Sequence, residues 1–127
     1  MAAARSAAPT LQLRATKVGK ILVNSRGFTV YVFSRDRRKV DSCVRIHDCL
    51  AVWPILTRGS GPLAGAGVKS SLIGTIRLKG GARQLTYAGH PLYTYTGDRR
   101  PAQTSYVNFF QFGGHWPALN AAGGEVK

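Results

Sequence analysis

The sequence predicts an all-β fold, an antiparallel meander of two pseudo-repeated hairpin units with little helix. One short segment occurs twice in the 127 residues, and each copy opens with β-branched and aromatic residues beside a turn. Such runs, bounded by Gly, Asn, Ser or Pro, are typical of strands joined by tight turns. Stretches suited to helix are scarce, which leaves strands as the main element.

The repeated segments read GFTVYVFSRDRR at residues 27–38 and GHPLYTYTGDRR at residues 89–100. Each is followed by a second match, WPIL at residues 53–56 and WPAL at residues 116–119. Gly, Tyr, a second aromatic, Asp, two Arg, Trp, Pro and Leu agree in order, far beyond what two random segments give. An internal repeat of this kind indicates two copies of one structural unit.

The first unit is predicted to begin as a hairpin, with strands at residues 21–23 and 28–33 around the turn sequence NSRG. Residues 45–52 suit about two turns of helix. Pro54 ends that helix, because the residue before a proline is pushed out of the helical region.

The second unit is predicted to contain three strands, at residues 73–78, 84–87 and 91–95, with turns at Gly80-Gly81 and Ala88-Gly89. Residues 59–70 are rich in Gly, Pro, Ala and Ser and indicate the loop that joins the units. The aromatic residues 105–112 suit either a strand or an irregular cover over the core.

The length fits one domain, and 44% apolar against 18% charged residues is a globular composition. We divide the chain into an N-terminal extension at 1–16, a single domain at 17–120 and a tail at 121–127. Within the domain, repeat one spans about 18–58 and repeat two about 72–119.

The charge is strongly positive, with 18 Lys and Arg against 5 acidic residues and a net charge of +13. Nucleic acid, an anionic lipid surface and an anionic wall polymer would all attract such a protein. The plainer alternative is that the charge only keeps the protein in solution.

No window reaches the ~20 apolar residues of a membrane helix, and residues 1–10 lack the apolar run of a secretion signal.

The repeat motif has three positions in each copy, which are Tyr31, Phe33 and Asp36, then Tyr93, Tyr95 and Asp98. Aromatic residues two apart in a strand share a face, so both pairs are expected in the core. Each Asp follows a strand that should be turning, where it is expected to accept backbone N–H groups two residues on. A ligand or metal role for the two carboxylates is the alternative.

Two basic corners follow the predicted hairpins, the first with Arg35, Arg37, Arg38 and Lys39 and the second with Arg99 and Arg100. Pseudo-symmetry would place them in equivalent positions. Arg makes planar, bidentate contacts with phosphate and carboxylate, so the corners are candidate anion-binding residues. The alternative is that they are solvated turns. No catalytic set, nucleophile motif or phosphate loop is recognised, and no cofactor or metal ligand set is predicted.

In these features the chain resembles a family of secreted-repeat lipoproteins of unknown function, marked by a Tyr-x-aromatic-x-x-Asp motif. Both copies of the motif match, and a cysteine pair ahead of a Trp-Pro and a Gly-Gly-x-Trp ending are also present. The resemblance runs from about residue 18 to 119. The cysteines here are spaced more widely than in the family pattern, and no lipobox cysteine precedes the domain.

The resemblance implies an extracytoplasmic, cell-surface or secreted bacterial protein, in which Cys43 and Cys49 are expected to form a disulfide. His47 lies between them and either joins a Cys/His cluster or faces solvent. The leading hypothesis is a non-enzymatic binding or structural module of the cell envelope, whose partner is an anionic polymer or membrane surface. The rival is a redox or metal-handling accessory protein. Nucleic acid fits the charge but agrees poorly with export.

Overall fold

The computed structural model describes residues 7–127 and confirms the all-β prediction. Within residues 7–127, nine short strands form four antiparallel sheets, ordered β1-β2, β3-β4-β5, β6-β7 and β8-β9. The strands are β1 Gln12–Thr16, β2 Gly19–Val23, β3 Ile73–Arg77, β4 Arg83–Tyr87, β5 His90–Pro91, β6 Phe109–Gln111, β7 Gly114–Trp116, β8 Ala118–Leu119 and β9 Glu125–Val126. Helix is limited in this part of the chain to α1 Cys49–Val52 and the 3₁₀ turns Cys43–Arg45 and Ser70–Leu72.

The first hairpin starts earlier in the chain than its sequence suggested. Strand β1 lies inside the segment 1–16 taken as an extension, and it pairs with β2 along its whole length, from Gln12 opposite Val23 to Thr16 opposite Gly19. Residues 12–16 are therefore part of the folded domain, whereas residues 1–6 lie outside the described part. At the other end, β9 in the predicted tail pairs with β8.

The turn after β2 forms as predicted. The Asn24 side-chain oxygen accepts the main-chain N–H groups of Arg26 and Phe28 at 2.9 and 3.0 Å, and Gly27 has a φ of 84° that favours glycine. Beyond the turn, the segment predicted as a strand at 28–33 pairs with β2 only at its start, where Thr29 bridges Val23 and the main-chain N–H of Val30 donates to the carbonyl of Leu22. It crosses into the centre of the molecule, where Tyr31 forms isolated bridges.

The second unit follows its prediction in β3 and β4, but the strand predicted at 91–95 is wrong beyond Pro91, where Tyr93 forms only isolated bridges. Strands β3 and β4 pair from Ile73 opposite Tyr87 to Arg77 opposite Arg83, and β5 adds to β4. Ala88 and Gly89 both have positive φ, 50° and 85°, as a two-residue hairpin turn requires. In the segment 105–112 both alternatives hold, because β6 forms at its end while the rest is turn.

The predicted helix at 45–52 is wrong as a continuous element. One 3₁₀ turn ends at Arg45, α1 begins at Cys49, and Asp48 between them has a φ of 65°. The Cys43–Cys49 disulfide, which confirms the predicted bridge, gives the physical reason. Its two Cα atoms lie 5.4 Å apart, so the chain folds back between them, and the left-handed φ of Asp48 interrupts the helix before Cys49.

A pair of tyrosines, one from each repeat, forms the main-chain contact at the centre of the molecule. The main-chain N–H of Tyr31 donates to the carbonyl of Tyr93 at 2.8 Å, and the reverse bond is 2.9 Å. Each tyrosine also forms a second bridge, Tyr31 with Ala118 and Tyr93 with Ile55. Ala118 and Ile55 occupy the same position in the two repeats, directly after the Trp-Pro. Because each tyrosine bridges the residue of the other repeat, the pairing has approximate two-fold symmetry.

Removal of the disulfide tests how much it stabilises this arrangement. The Cys43→Ser, Cys49→Ser double variant is expected to lose about 2 kcal/mol of unfolding free energy, since the loop it closes is short. Urea unfolding of oxidised wild type and the double variant measures the loss. Equal midpoints for the two proteins would show that the bridge does not constrain the fold.

Candidate functional site

The aromatic residues of the repeat motif meet the two tryptophans in a single buried cluster. Four rings form a continuous stack, in the order Phe33, Trp116, Trp53 and Tyr95, with centroid distances of 4.1, 4.0 and 4.1 Å. We call these four rings the aromatic stack. Phe33 thus lies on the tryptophan of repeat two, and Tyr95 lies on that of repeat one. The second aromatic of each motif therefore joins the repeats.

The first tyrosine of each motif packs edge-on against the tryptophan of its own repeat. The Tyr31 and Trp53 rings have centroids 5.1 Å apart at 82°, and the Tyr93 and Trp116 rings have centroids 5.1 Å apart at 85°. All four side chains are fully buried. Edge-to-face pairs of this kind contribute about 0.5–1.5 kcal/mol beyond the burial of their area.

The tyrosine hydroxyls reach the aspartates of the opposite repeat. The Tyr31 hydroxyl donates to Oδ2 of Asp98 at 2.8 Å, and the Tyr93 hydroxyl donates to Oδ2 of Asp36 at 2.7 Å. We call these two hydrogen bonds the crossed Tyr–Asp pairs. The predicted motif residues therefore do lie together, but each Tyr serves the Asp of the other copy.

The predicted turn-cap geometry of the aspartates differs from the structure. Asp36 Oδ1 accepts the main-chain N–H of Ser42 at 2.7 Å, six residues on rather than two. Asp98 accepts the Tyr31 hydroxyl on Oδ2, while its Oδ1 is buried without a partner among the described residues. Both carboxylates hold the two repeats together, and their long-range partners explain why local turn rules misplaced their bonds.

Burial determines the protonation behaviour of these carboxyl groups. It raises the pKa of Asp36 from 3.8 to about 7, against the opposing effect of the bonds from Tyr93 and Ser42. It likewise raises the pKa of Asp98 to about 6, against the bond from Tyr31. Burial also raises the pKa of both tyrosine hydroxyls, so these hydroxyls remain donors.

A residue outside the repeat completes the cluster. The Trp53 indole N–H donates to the Gln111 side-chain oxygen at 2.8 Å, and the Trp116 indole N–H donates to the Gln111 carbonyl at 3.0 Å. Buried indole N–H groups need such acceptors. Sequence reasoning missed Gln111, because it lies in the segment 105–112, whose sequence does not match the corresponding stretch of repeat one.

The first basic corner lies against repeat two. All four of its side chains are exposed. The Arg35 guanidinium donates to the Phe112 carbonyl at 3.0 Å, and the main-chain N–H of Lys39 donates to the Gly89 carbonyl at 2.7 Å. These contacts fix the start and end of the corner, and its four side chains remain exposed.

The second basic corner is also exposed but has different neighbours. The main-chain N–H of Arg99 donates to the Gln103 side-chain oxygen at 2.7 Å. Arg100 lines a cavity of about 240 Å³ together with Lys17. The two corners thus follow equivalent aspartates and are both exposed, but the residues that surround them differ.

The cysteines and histidines form no metal centre in the part of the chain from residue 7 onward. No group of three or more His, Cys, Asp or Glu side chains lies close enough there to hold an ion. Cys43 and Cys49 are bonded to each other and fully buried. His47 faces solvent and lies 3.4 Å from the carboxylate of Asp48.

These features define a class, an all-β domain of two interlocked repeats. The chain belongs to the family described as a secreted repeat of unknown function, whose family model matches residues 13–57 and 74–120. The two matches correspond to the two repeats, and the family description supports an extracytoplasmic location. No curated protein and no solved structure matches the chain. Across residues 7–127, none of the helices is long and apolar enough to traverse a bilayer.

Loss of either crossed Tyr–Asp pair should destabilise the whole domain. Tyr31→Phe and Tyr93→Phe are each expected to lower the unfolding free energy by about 1–3 kcal/mol, because a buried carboxyl group loses its donor. Tyr106→Phe is the matched control, since that half-buried hydroxyl bonds to no described residue. Chemical denaturation measures all three. Tyrosine variants as stable as the control would contradict the role of the pairs.

The raised pKa values predict an unusual pH dependence of stability. Carboxyl groups with a pKa of about 7 and about 6 in the folded state, against 3.8 otherwise, bind protons more tightly when folded. Their contribution is therefore greatest in acid and is lost as the pH rises through 6 to 7. We expect wild type to be more stable at about pH 5 than at about pH 8, by on the order of 1–3 kcal/mol.

The double variant Asp36→Asn, Asp98→Asn provides the comparison for that measurement. Because amides do not titrate in this range, its stability should vary much less between the two pH values. Thermal unfolding of both proteins at each pH gives the difference. If the stability of wild type changes between the two pH values no more than that of the variant, the two carboxyl groups do not take up protons on folding.

Proposed function

We propose that the protein is a non-enzymatic binding module of the bacterial cell envelope, which associates with an anionic polymer or an anionic membrane surface. The observation that carries the proposal is the way the fold divides its charges. The few acidic groups serve the interior or pair with neighbours, whereas the many basic groups remain exposed. The surface therefore carries a stronger positive field than the composition alone would suggest.

The acidic residues account for this division. Asp36, Asp41 and Asp98 bond within the fold, through tyrosine hydroxyls or main-chain N–H groups. Of the remaining two, Asp48 lies beside His47, and Glu125 lies 3.6 Å from the ammonium group of Lys127. Between residues 7 and 127, no arginine has a carboxylate within 4 Å. The guanidinium groups are thus available to an external anion.

The same contacts support a non-enzymatic role. The two carboxyl groups with shifted pKa values, which are the groups an acid–base reaction would use, are bonded to buried tyrosines. The two thiols that could act as nucleophiles are joined in a buried disulfide. The carboxyl groups thus join the two repeats, and the thiols are used to close a loop within repeat one.

The Asp-Arg-Arg corners are the first candidates for contact with the anion. Their guanidinium groups suit phosphate and carboxylate oxygens, which are common in wall polymers and in lipid headgroups. Removal of four corner charges tests the proposal, in a variant carrying Arg37→Gln, Arg38→Gln, Arg99→Gln and Arg100→Gln. It should bind polyphosphate or anionic vesicles at least tenfold more weakly, with a shallower dependence on salt, because fewer counterions are displaced.

A matched control removes the same charge from other exposed positions, as Arg14→Gln, Lys20→Gln, Arg58→Gln and Lys69→Gln. This control should keep most of the affinity, and both variants should remain folded since exposed charges contribute little to stability. Equal weakening in the two variants would show that only diffuse charge matters. Stoichiometric copper in untagged protein, measured by metal analysis, would instead favour the rival class of redox or metal-handling proteins.

A further inference from the structure

A groove with cationic edges and an apolar lining lies between the two repeats. It has a volume of about 360 Å³ and is lined by the segment after the first basic corner and by the end of β3 with the turn that follows it. Its cations are Lys39, Arg45, Arg77 and Lys79. All four side chains are exposed, and no carboxylate of the described residues lies within 4 Å of their cationic groups.

The apolar lining of the groove comes from both repeats. Val40 and Val44 are 45% and 42% exposed, and they are two of the four large apolar side chains that stand out from the described surface. Ile76 and Leu78 line the groove from the opposite side and are half-buried. Exposed aliphatic side chains that adjoin one another mark a surface suited to an apolar partner.

The local fold explains why these valines face outward. Asp41 and Cys43 lie between the two valines in the chain and are both buried, at 5% and 0% exposure. Asp41 Oδ1 accepts the main-chain N–H of Val44 at 2.9 Å, and Cys43 is fixed by its disulfide. With the segment anchored at these two residues, Val40 and Val44 remain on the solvent side.

We propose that this groove is a docking site for an anionic lipid membrane surface. The inference rests on the proposed function and selects the membrane over a soluble polymer. Four cations against the one carboxylate of Asp41 leave the lining positively charged, which complements phosphate headgroups. The exposed valines between the cations match the acyl boundary just below those headgroups, whereas a hydrophilic polymer would gain nothing from them.

The apolar part of the site is tested without changing any charge. The double variant Val40→Ser, Val44→Ser should bind vesicles of phosphatidylglycerol and phosphatidylcholine about tenfold more weakly, because it buries less apolar area. Its binding to polyphosphate, a soluble polyanion, should equal that of wild type. Phe110→Ser is the matched control, since Phe110 is 61% exposed but lies outside the groove, and this variant should bind vesicles like wild type.

The charged part of the site is tested by the variant Lys39→Gln, Arg45→Gln, Arg77→Gln, Lys79→Gln. It should bind the same vesicles weakly at low salt and lose most of the salt dependence, while the valine variant keeps that dependence. Thermal unfolding of each variant identifies any that fail to fold. Where a multiple variant fails to fold, the single substitution Val44→Ser or Lys79→Gln replaces it, and vesicle binding is expected to change in the same direction.

The outcomes separate the two proposals. If wild type binds vesicles and the serine and glutamine variants bind them equally well, the groove is not the docking site, although the proposed function stands. If wild type binds polyphosphate but not vesicles, the partner is a polymer and the membrane inference is overturned. If wild type binds neither probe, the proposed function itself fails.

Discussion

The crossed Tyr–Asp pairs are the interaction on which the rest of the structure depends. Each tyrosine is fixed at its backbone by the tyrosine of the other repeat and at its hydroxyl by the aspartate of the other repeat. Removal of one member of a pair in the intact fold would leave its buried partner unsatisfied, at a cost of about 1–3 kcal/mol. The sequence motif is therefore a device for joining two copies.

The aromatic stack extends the same exchange between the repeats. Its central contact is between Trp53 and Trp116, whose rings are nearly parallel and 4.0 Å apart, and one Gln111 accepts from both indoles. The disulfide borders this cluster and shapes the segment that leads to Trp53. A small all-β protein with short strands gains its core here, because its four separate sheets each bury little area alone.

Much of the fold could be predicted because its signals are local. The repeat, the turns at residues 24–27 and 88–89, and strands β3 and β4 are all encoded in short runs of sequence. The crossing of the pairs could not be predicted, since strand periodicity tells which side chains share a face but not which distant carboxylate they meet. The broken helix depends on a disulfide, and the groove joins residues 39–45 to 76–79, which lie far apart in the chain.

Three of the five acidic residues bond within the fold, which leaves the surface cationic, so the proposed function depends on the interlocking of the repeats. Native-state hydrogen exchange of the whole protein tests that interlocking most directly. The main-chain N–H groups of Tyr31 and Tyr93 bond to each other's residue, and they should exchange with one common free energy equal to that of global unfolding. If either amide exchanges through a partial opening of clearly lower free energy, one repeat unfolds without the other and the account is contradicted.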